Sequence, residues 1–360
     1  MGQSHIVRIR LGKTRKIIVV TLLFCTLFFA FSFLFAGANG RTAQAEKITR
    51  GATHVVLEAS SLRVLSENNA RKRKEPASTT KILTAVCVLE NLDVEKEITI
   101  PNGAAGVEGS SIYLKAGEKW KVKDLLYGLM LRSGNDAATA LALSVSGSVE
   151  KFAAVMNATA CKIGAFDSNF TNPHGLHNEK HYTTAYDLAL ITAYAYRYPL
   201  FREIVSCKEY VYTQNGVKGV FVNKNKMLSH YEGANGVKTG YTTASGRCLV
   251  SGAVRQGMQL ICVVLDEGNM WGKSAELLNE AFERYRLHTL FKKGEPFMVN
   301  GKTFTVGKDM TYPLKDGEKD SLRYEYVLRA PFPAGKEQDG GRLYVKLANR
   351  LIFSEKVYTI

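Results

Sequence analysis

The chain has 360 residues, enough for two domains, and its 46% hydrophobic and 22% charged residues are typical of a globular protein rather than a disordered one. The net charge of +15 is spread over the chain without a long basic block, although five positive residues fall among the first sixteen. We interpret this excess as attraction to an anionic surface such as a cell envelope. No nucleic-acid-binding motif is present, so nucleic acid is not a predicted partner.

Cysteine usage gives no sign of a disulfide framework or a zinc site. Six cysteines are present, and Cys25 falls in an apolar run near the N-terminus. The other five are an odd number without a Cys-x-x-Cys pair or zinc-ligand spacing, which favours buried free thiols. A bridge between Cys248 and Cys262 stays open, because spacing alone does not decide it.

Residues 1–45 have the layout of a secretory signal. A basic segment precedes an uncharged run at residues 17–36, and the small residues Ala43 and Ala45 follow. The run has twenty residues, which is also just enough to span a bilayer. Cleavage after Ala45 and retention as an N-terminal membrane anchor are therefore both open. In either case the rest of the chain is expected to be extracytoplasmic, secreted to the envelope or held on the outer face of the cytoplasmic membrane.

The exported part begins with two predicted strands and a helix. Residues 54–58 and 62–65 have the composition of short strands joined by a turn. A helix start follows in residues 75–89, where Ser78 and Lys81 precede an apolar repeat. Residues three apart lie on one helix face, so this hydroxyl and amine can touch. A serine beside a lysine at a buried helix start is a candidate nucleophile with its own base.

Three neighbours of Ser78 carry helix-start signals. Pro76 suits the first turn of a helix, because its missing N–H would have no partner there. The hydroxyls of Thr79 and Thr80 are expected to satisfy free N–H groups of the same turn.

A polar segment separates two predicted apolar helices, at residues 122–130 and 137–143. It contains Ser133 and Asn135. A polar turn between apolar helices is expected to be buried, and buried polar groups need partners. One interpretation is that both side chains point into a site. The alternative, an N-cap for the next helix, is also physically sound.

Residues 166–187 predict a loop that leads into a helix at 183–196, capped by one of the threonines at its start. The loop contains His174, His177 and His181. No carboxylate or cysteine is placed to complete a tetrahedral ligand set with them, so no metal site is predicted.

A Lys-Thr-Gly tripeptide follows a Gly/Asn-rich turn. Lys238, Thr239 and Gly240 are predicted to lie on a strand beside a cleft, followed by Tyr241. A strand of this composition presents a cation, a hydroxyl and a close-approach glycine to an anionic substrate end.

The rest of the chain predicts a hairpin, a closing helix and a small β module. Strands at 248–254 and 259–265 are joined by a short loop, and an amphipathic helix follows at 273–285. From about residue 291, short alternating segments separated by Gly, Asp and Pro indicate a small all-β domain. The predicted organisation is a signal or anchor in 1–45, a main domain in 46–290 and a β-rich domain in 291–360.

The order of the motifs is more specific than any one of them. Ser-x-x-Lys at Ser78, Ser-x-Asn at Ser133 and Lys-Thr-Gly at Lys238 form the set named for penicillin-binding proteins and class A β-lactamases. With the flanking segments PASTTKILTA, LRSGNDAA, NPHGLHNEKHYTTAYDLA and GVKTGYT, residues 46–290 closely resemble the D-alanyl-D-alanine carboxypeptidases among low-molecular-weight penicillin-binding proteins. The resemblance implies an α+β fold, an antiparallel sheet flanked by helices, followed by that family's small β-rich C-terminal domain in 291–360.

The resemblance also implies roles for the residues of the first two motifs. Ser78 would attack the carbonyl between the two terminal D-alanines of a peptidoglycan stem peptide, and Lys81, as a neutral amine, would take its proton. Ser133 would relay a proton to the departing D-alanine, and Asn135 would bind substrate amide groups. β-Lactams, which resemble the substrate, would acylate Ser78 and leave slowly. No cofactor is implied.

The third motif would bind the substrate's terminal carboxylate and its reacting carbonyl. Lys238 and Thr239 would hold the carboxylate, and Gly240 would allow the close approach. Backbone N–H groups of Ser78 and Tyr241 would form the oxyanion hole.

Two features depart from the family pattern. Members commonly have an arginine just ahead of the helix that closes the main domain, as a further carboxylate contact. Here Lys273 stands in that region and could substitute for the arginine, but a lysine offers no bidentate fork, so the effect on substrate affinity or preference stays open. The amphipathic C-terminal helix that often tethers the family to the membrane is also missing. If this protein is tethered, the N-terminal segment would be the anchor.

Two other functions stay open at the level of sequence. A class A β-lactamase needs a glutamate to activate the deacylating water, and the corresponding residues 166–177 contain none. The other is a non-catalytic envelope protein that binds peptidoglycan or senses β-lactams. All the reactive residues are present, which argues against an inactive enzyme.

Overall fold

The structure is a computed structural model and describes residues 5–11, 48, 50–330 and 338–360. The predicted signal or anchor run at residues 17–36 lies outside the described residues. Within the described residues, no helix has both the length and the apolar character needed to cross a membrane. The described residues form two compact units. One lies within Lys47–His288 together with Pro313–Lys315, and the other contains His5–Leu11 and the described parts of Thr289–Tyr312 and Asp316–Ile360.

The first unit mixes strands with helices, whereas the second consists mainly of strands. The described strands are β1 (His5–Leu11), β2 (Thr53–Glu58), β3 (Val64–Asn68), β4 (Glu97–Thr99), β5 (Lys119–Lys121), β6 (Glu209–Gln214), β7 (Val217–Val222), β8 (Ala234–Thr242), β9 (Gly246–Arg255), β10 (Met258–Leu265), β11 (Arg286–Phe291), β12 (Phe297–Val299), β13 (Lys302–Val306), β14 (Met310–Leu314), β15 (Leu322–Ala330), β16 (Asp339–Leu347) and β17 (Arg350–Thr359). The described α-helices are α1 (Lys81–Asn91), α2 (Val122–Tyr127), α3 (Asn135–Ser146), α4 (Val149–Ile163), α5 (Ala185–Ala195), α6 (Pro199–Ser206), α7 (Met227–His230) and α8 (Met270–Arg284). The predicted α+β class is confirmed.

The centre of the first unit is a five-stranded antiparallel sheet with the order β3-β2-β10-β9-β8. The predicted hairpin joins β9 to β10, with Gln256 and Gly257 at its tip. β8 is an edge strand, paired with β9 on one side. Because it lies at the edge, β8 keeps one row of backbone groups that the sheet does not use.

Each face of this sheet packs against helices, so alternate residues of a strand belong to different cores. On one face, Val250 and Ile261 pack with the helical cluster that contains α1. On the other face, Leu249 and Cys262 pack against α8. Cys248 lies on the face of the helical cluster, so it points away from Cys262. Both are free thiols, as are the other cysteines of the described chain, and the bridge left open by the sequence is not formed.

Helix starts agree with the sequence predictions in part. The cap of α5 is confirmed: the Thr184 hydroxyl accepts a hydrogen bond from Asp187 N. The predicted caps beside Ser78 are wrong, because α1 begins through a 3₁₀ turn, Ala77–Thr80, that has no side-chain cap. There the Thr79 hydroxyl donates to Pro76 O, and the Thr80 hydroxyl pairs with the His181 ring.

The second unit contains a six-stranded sheet with the order β1-β15-β16-β17-β13-β12. The pairs from β15 through β17 are antiparallel, whereas β1 runs parallel to β15. Alternate side chains such as Phe304, Leu343 and Val345 are buried, which is the period-2 pattern that predicted a β module. The hairpin β6–β7 and helix α4 of the first unit were not predicted.

Candidate active site

The first motif places a serine and a lysine in direct contact. Ser78 lies in the 3₁₀ turn that precedes α1, and Lys81 is the first residue of that helix. Lys81 Nζ lies 2.9 Å from Ser78 Oγ, so the predicted contact is present. Ala77, just before Ser78, has φ +47°, an unfavourable conformation for a side-chain-bearing residue that is held in place by surrounding structure.

The amine of Lys81 is fully buried and has three acceptors around it. Besides Ser78 Oγ, it contacts Asn135 Oδ1 at 2.7 Å and His174 O at 2.8 Å. These partners belong to three separate segments, so the amine is fixed in position by the tertiary fold and not by its own helix. A buried amine with this geometry can exchange a proton with the serine hydroxyl.

The electrostatic surroundings favour the neutral form of Lys81. Burial is the largest effect that lowers its pKa well below the ordinary value, since the charged amine loses its hydration. The positive charges of Lys238 and Lys224 lower the pKa further, and the negative charge of Asp136 opposes them. Burial also lowers the pKa of Lys238 to about 7, with Lys224 acting in the same direction.

The second motif follows a π-helical turn, Gly128–Arg132, and its residues do not cap the next helix with a side chain. Ser133 has φ +65° and is buried, and its hydroxyl makes no hydrogen bond within the described residues. Asn135 begins α3, and its two amide atoms face different walls of the site: Oδ1 accepts from Lys81, and Nδ2 donates to Glu108 O at 2.5 Å. The N-cap alternative is therefore not realised.

A carboxylate next to the second motif fixes the neighbouring loop. Asp136 accepts hydrogen bonds from the Ser111 hydroxyl at 2.6 Å and from the backbone N–H groups of Ile112 and Leu114. Asn135 N in turn donates to Ser110 O at 2.7 Å. The glycine-rich loop before β5 is thereby held against the start of α3. This role of Asp136 was not predicted from the sequence.

The third motif lies on the edge strand β8, as predicted. Lys238 is buried and its Nζ donates to Thr239 O at 2.9 Å, while Tyr241 is two-thirds exposed. A Cβ at Gly240 would lie 3.0 Å from Ser78 N, so this part of β8 runs directly against the Ser78 turn. The glycine is required there for close approach between two backbones.

Two further cations lie near these motifs and were missed by the sequence reasoning. Lys224 Nζ lies 3.3 Å from the hydroxyl of Ser110. Burial and the charge of Arg132 lower the pKa of Lys224. We call Lys81, Lys238, Lys224 and Arg132 the cation cluster. Lys81 and Lys238 are buried, whereas Arg132 is half-buried and Lys224 is exposed. A cluster of like charges favours an anionic ligand, because an anion offsets the repulsion among them.

The histidine loop contributes a backbone carbonyl to the site. His174 offers its carbonyl to Lys81, and the Thr84 hydroxyl donates to Pro173 O at 2.6 Å. The His181 ring pairs with Thr80 of the 3₁₀ turn at 2.9 Å. No group of three or more potential metal ligands exists among the described residues. The loop is thus attached to the Ser78 helix at several points, and its role could not be read from side-chain identity.

Lys273, which stands where the resemblance implies an arginine, forms an ion pair on its own helix. It lies in the first turns of α8, and its Nζ donates to Glu276 Oε1 at 2.5 Å. This ion pair raises the pKa of Lys273.

A buried lysine in contact with a serine at the edge of an antiparallel sheet is the site of a serine-type acyl-transfer enzyme of the penicillin-binding-protein class. Solved structures support this class. Penicillin-binding protein 5 from Haemophilus influenzae has a TM-score of 0.71 and 28% identity, covering 86% of this chain and 96% of that one. The D-alanyl-D-alanine carboxypeptidase DacD from Francisella tularensis has a TM-score of 0.68 and 27% identity, covering 90% of this chain and 98% of that one.

Sequence comparisons identify the family within that class. Residues 39–269 match the D-alanyl-D-alanine carboxypeptidase family. D-alanyl-D-alanine carboxypeptidase DacF of Bacillus subtilis is 32% identical over 305 residues, 79% of this chain and 78% of that protein. The D-alanyl-D-alanine carboxypeptidase DacC of Escherichia coli is 32% identical over 328 residues, which cover 84% of this chain and 81% of that protein. The chain belongs to the D-alanyl-D-alanine carboxypeptidase family, so the resemblance predicted from its motifs is confirmed.

Proposed function

We propose that the protein is a serine-type carboxypeptidase that removes the terminal D-alanine from peptidoglycan stem pentapeptides through an acyl-enzyme on Ser78. The observation that carries this proposal is the 2.9 Å separation between Lys81 Nζ and Ser78 Oγ, with the amine fully buried. A buried amine near other cations loses its proton at lower pH than in water, so it can accept the proton of the serine hydroxyl.

Acylation begins with proton transfer from the Ser78 hydroxyl to the Lys81 amine. Ser78 Oγ then bonds to the carbonyl carbon between the two terminal D-alanines, and the C–N bond of that peptide breaks. The proton reaches the departing amine through the hydroxyl of Ser133. Asn135 holds Lys81 through Oδ1, and the second N–H of its amide group is available to a substrate carbonyl.

The third motif binds the two ends of the reacting D-alanine unit. The terminal carboxylate pairs with the Lys238 ammonium and the Thr239 hydroxyl. The carbonyl oxygen, which gains negative charge in the transition state, accepts from the backbone N–H groups of Ser78 and Tyr241. An oxyanion-hole donor of this kind is worth about 3 kcal/mol. Gly240 lets β8 lie close enough to the Ser78 turn for both N–H groups to reach one oxygen.

Deacylation returns the enzyme to its starting state. A water oxygen bonds to the acyl carbon, the bond to Ser78 Oγ breaks, and the hydroxyl of Ser78 recovers its proton. β-Lactams enter the same sequence, but their acyl group stays attached, and they are therefore expected to act as covalent inhibitors.

The test of this function is release of D-alanine from a stem pentapeptide, together with labelling by a fluorescent penicillin. We expect wild-type protein to show both and Ser78→Ala to show neither, because no other group supplies the nucleophile. Ser206→Ala, an exposed serine on α6, is the matched control and should keep both activities. Continued release by Ser78→Ala would show that the nucleophile is misassigned, and a wild type without adduct or release would refute the function.

We also propose that the protein acts outside the cytoplasm, where its substrate lies. The support is the basic segment and the uncharged run at residues 17–36, which are read as an export signal or N-terminal anchor. Mass spectrometry of the protein isolated from membrane and soluble envelope fractions distinguishes the two forms. An N-terminus at residue 46 indicates cleavage and an intact N-terminus indicates an anchor, whereas recovery in the cytoplasm alone would contradict export.

A further inference from the structure

The resemblance implies an arginine near the start of the closing helix, as a further contact for the substrate's terminal carboxylate. Lys273 stands there instead, and its amine is bound to Glu276. The loop that leads to α8 nevertheless runs beside the sheet, because Glu267 N donates to Arg247 O at 2.9 Å. An arginine is therefore present next to the segment from which the usual arginine would come, but it belongs to β9.

The strand register places Arg247 near the third motif. Arg247 lies directly opposite Tyr241 in the β8–β9 pair, and Thr239 is opposite Leu249. Paired residues share one face of a sheet, so Arg247, Tyr241 and Thr239 lie on the same face, with Thr239 as the diagonal neighbour of Arg247. Diagonal neighbours in antiparallel strands are about 7–8 Å apart, which is within the reach of an arginine side chain.

The guanidinium of Arg247 is available for a ligand. The side chain is exposed, and within the described residues it has no ion pair and no side-chain hydrogen bond. The other arginine of this strand, Arg255, lies on the same face and has partners, because it donates to Asn279 Oδ1 and to Glu232 O. Arg247 therefore differs from an arginine whose guanidinium is already bound by other parts of the protein.

We propose that Arg247 supplies the guanidinium that binds the terminal carboxylate of the substrate. The inference rests on the proposed function and adds the residue that replaces the usual arginine. Lys238 approaches the carboxylate from the side of the Ser78 turn, and Arg247 approaches it around the edge of β8, over Thr239. A planar guanidinium donates two parallel hydrogen bonds to a carboxylate, which an ammonium does not. Arg247 thereby selects substrates that end in a free carboxylate.

The test compares two substrates that differ at the group Arg247 is expected to bind. One is a stem peptide that ends in D-Ala-D-Ala with a free carboxylate, and the other ends in D-Ala-D-alaninamide. We expect Arg247→Ala to lower kcat/KM for the free acid about 10- to 100-fold, mainly through KM, because a charge-assisted hydrogen-bonded pair is lost. The amide substrate should be unaffected, and Arg247→Lys should recover part of the loss.

Lys273→Ala is the matched control, since it removes the cation at the usual arginine position and should change neither substrate's kinetics. The inference would be overturned if Arg247→Ala lowered kcat/KM equally for both substrates or for neither. It would also be overturned if Lys273→Ala lowered kcat/KM for the free acid alone. Arg247 would then be a solvated surface residue. An unchanged melting temperature excludes misfolding as the cause of any loss. Wild-type release of D-alanine tests the proposed function separately, so that function can stand while the assignment of Arg247 fails.

Discussion

Lys81→Met should react with a fluorescent penicillin on the order of 10³-fold more slowly than the wild type, within the range that a positioned general base contributes. Methionine keeps a chain of similar length in a fully buried position, so the change removes the amine without opening a large cavity. The rate of covalent labelling is the measurement, with thermal unfolding as the check on folding. Rapid labelling of a folded Lys81→Met protein would contradict the assignment of Lys81 as the base.

The assignment of Lys81 as the base also predicts how the acylation rate changes with pH. Burial, with the charges of Lys238 and Lys224, holds the pKa of Lys81 well below its ordinary value. A general base works in its neutral form, so wild-type acylation should rise with pH through that lowered pKa and then level off. Lys81→Met should show no such rise, because the titrating group is gone. A rise that persists in Lys81→Met would assign the pH dependence to another group.

Gly240→Ala should lower the acylation rate on the order of 10²-fold, the size expected when an oxyanion-hole donor is misplaced. The added Cβ would lie 3.0 Å from Ser78 N and 3.1 Å from Pro76 O, and both are backbone atoms that cannot rotate away. Strand β8 and the Ser78 turn must therefore separate slightly, and the two N–H groups proposed to bind the oxyanion no longer converge.

Gly103→Ala is the matched control for that substitution. Its added Cβ would meet Leu143 Cδ1 at 3.8 Å, an ordinary contact, so labelling should stay at the wild-type rate. Penicillin labelling and D-alanine release should fall together in Gly240→Ala while the melting temperature changes little. Wild-type rates in that variant would show that the close approach of β8 to Ser78 is not needed for catalysis.

Local spacing explains which parts of the site could be predicted from the sequence. Ser78 and Lys81 are three residues apart, so one turn of helix brings them together whatever the rest of the chain does. The prediction that Lys238 lies on a strand also rested on local sequence alone. The pairing of β2 with β10 joins residues about 200 positions apart, and no periodicity within either strand encodes that partner. The family resemblance supplied an antiparallel sheet flanked by helices, but not this pairing.

The parts of the site that the sequence analysis missed cannot be recognised from residue type. His174 and Glu108 act through backbone carbonyls that any residue could offer, so residue type does not reveal them. Lys224 is one lysine among many, and its place in the cation cluster depends on a turn that returns to Leu131 O. The wrong cap at Thr80 has a tertiary cause, because the His181 loop engages the hydroxyl that the helix start would otherwise use. The wrong cap at Thr79 has a local cause, because its hydroxyl donates to Pro76 O.

The row of amides and carbonyls along the edge of β8 that no strand pairs with has a consequence for substrate selection. An extended peptide can join such an edge as an additional strand, held by main-chain hydrogen bonds along its length. Binding through main-chain hydrogen bonds does not depend on most side chains, so the upstream residues of the stem peptide can vary with little effect on binding. Discrimination is then concentrated at the chain terminus, in the handedness of the last two residues and in the charge that follows them.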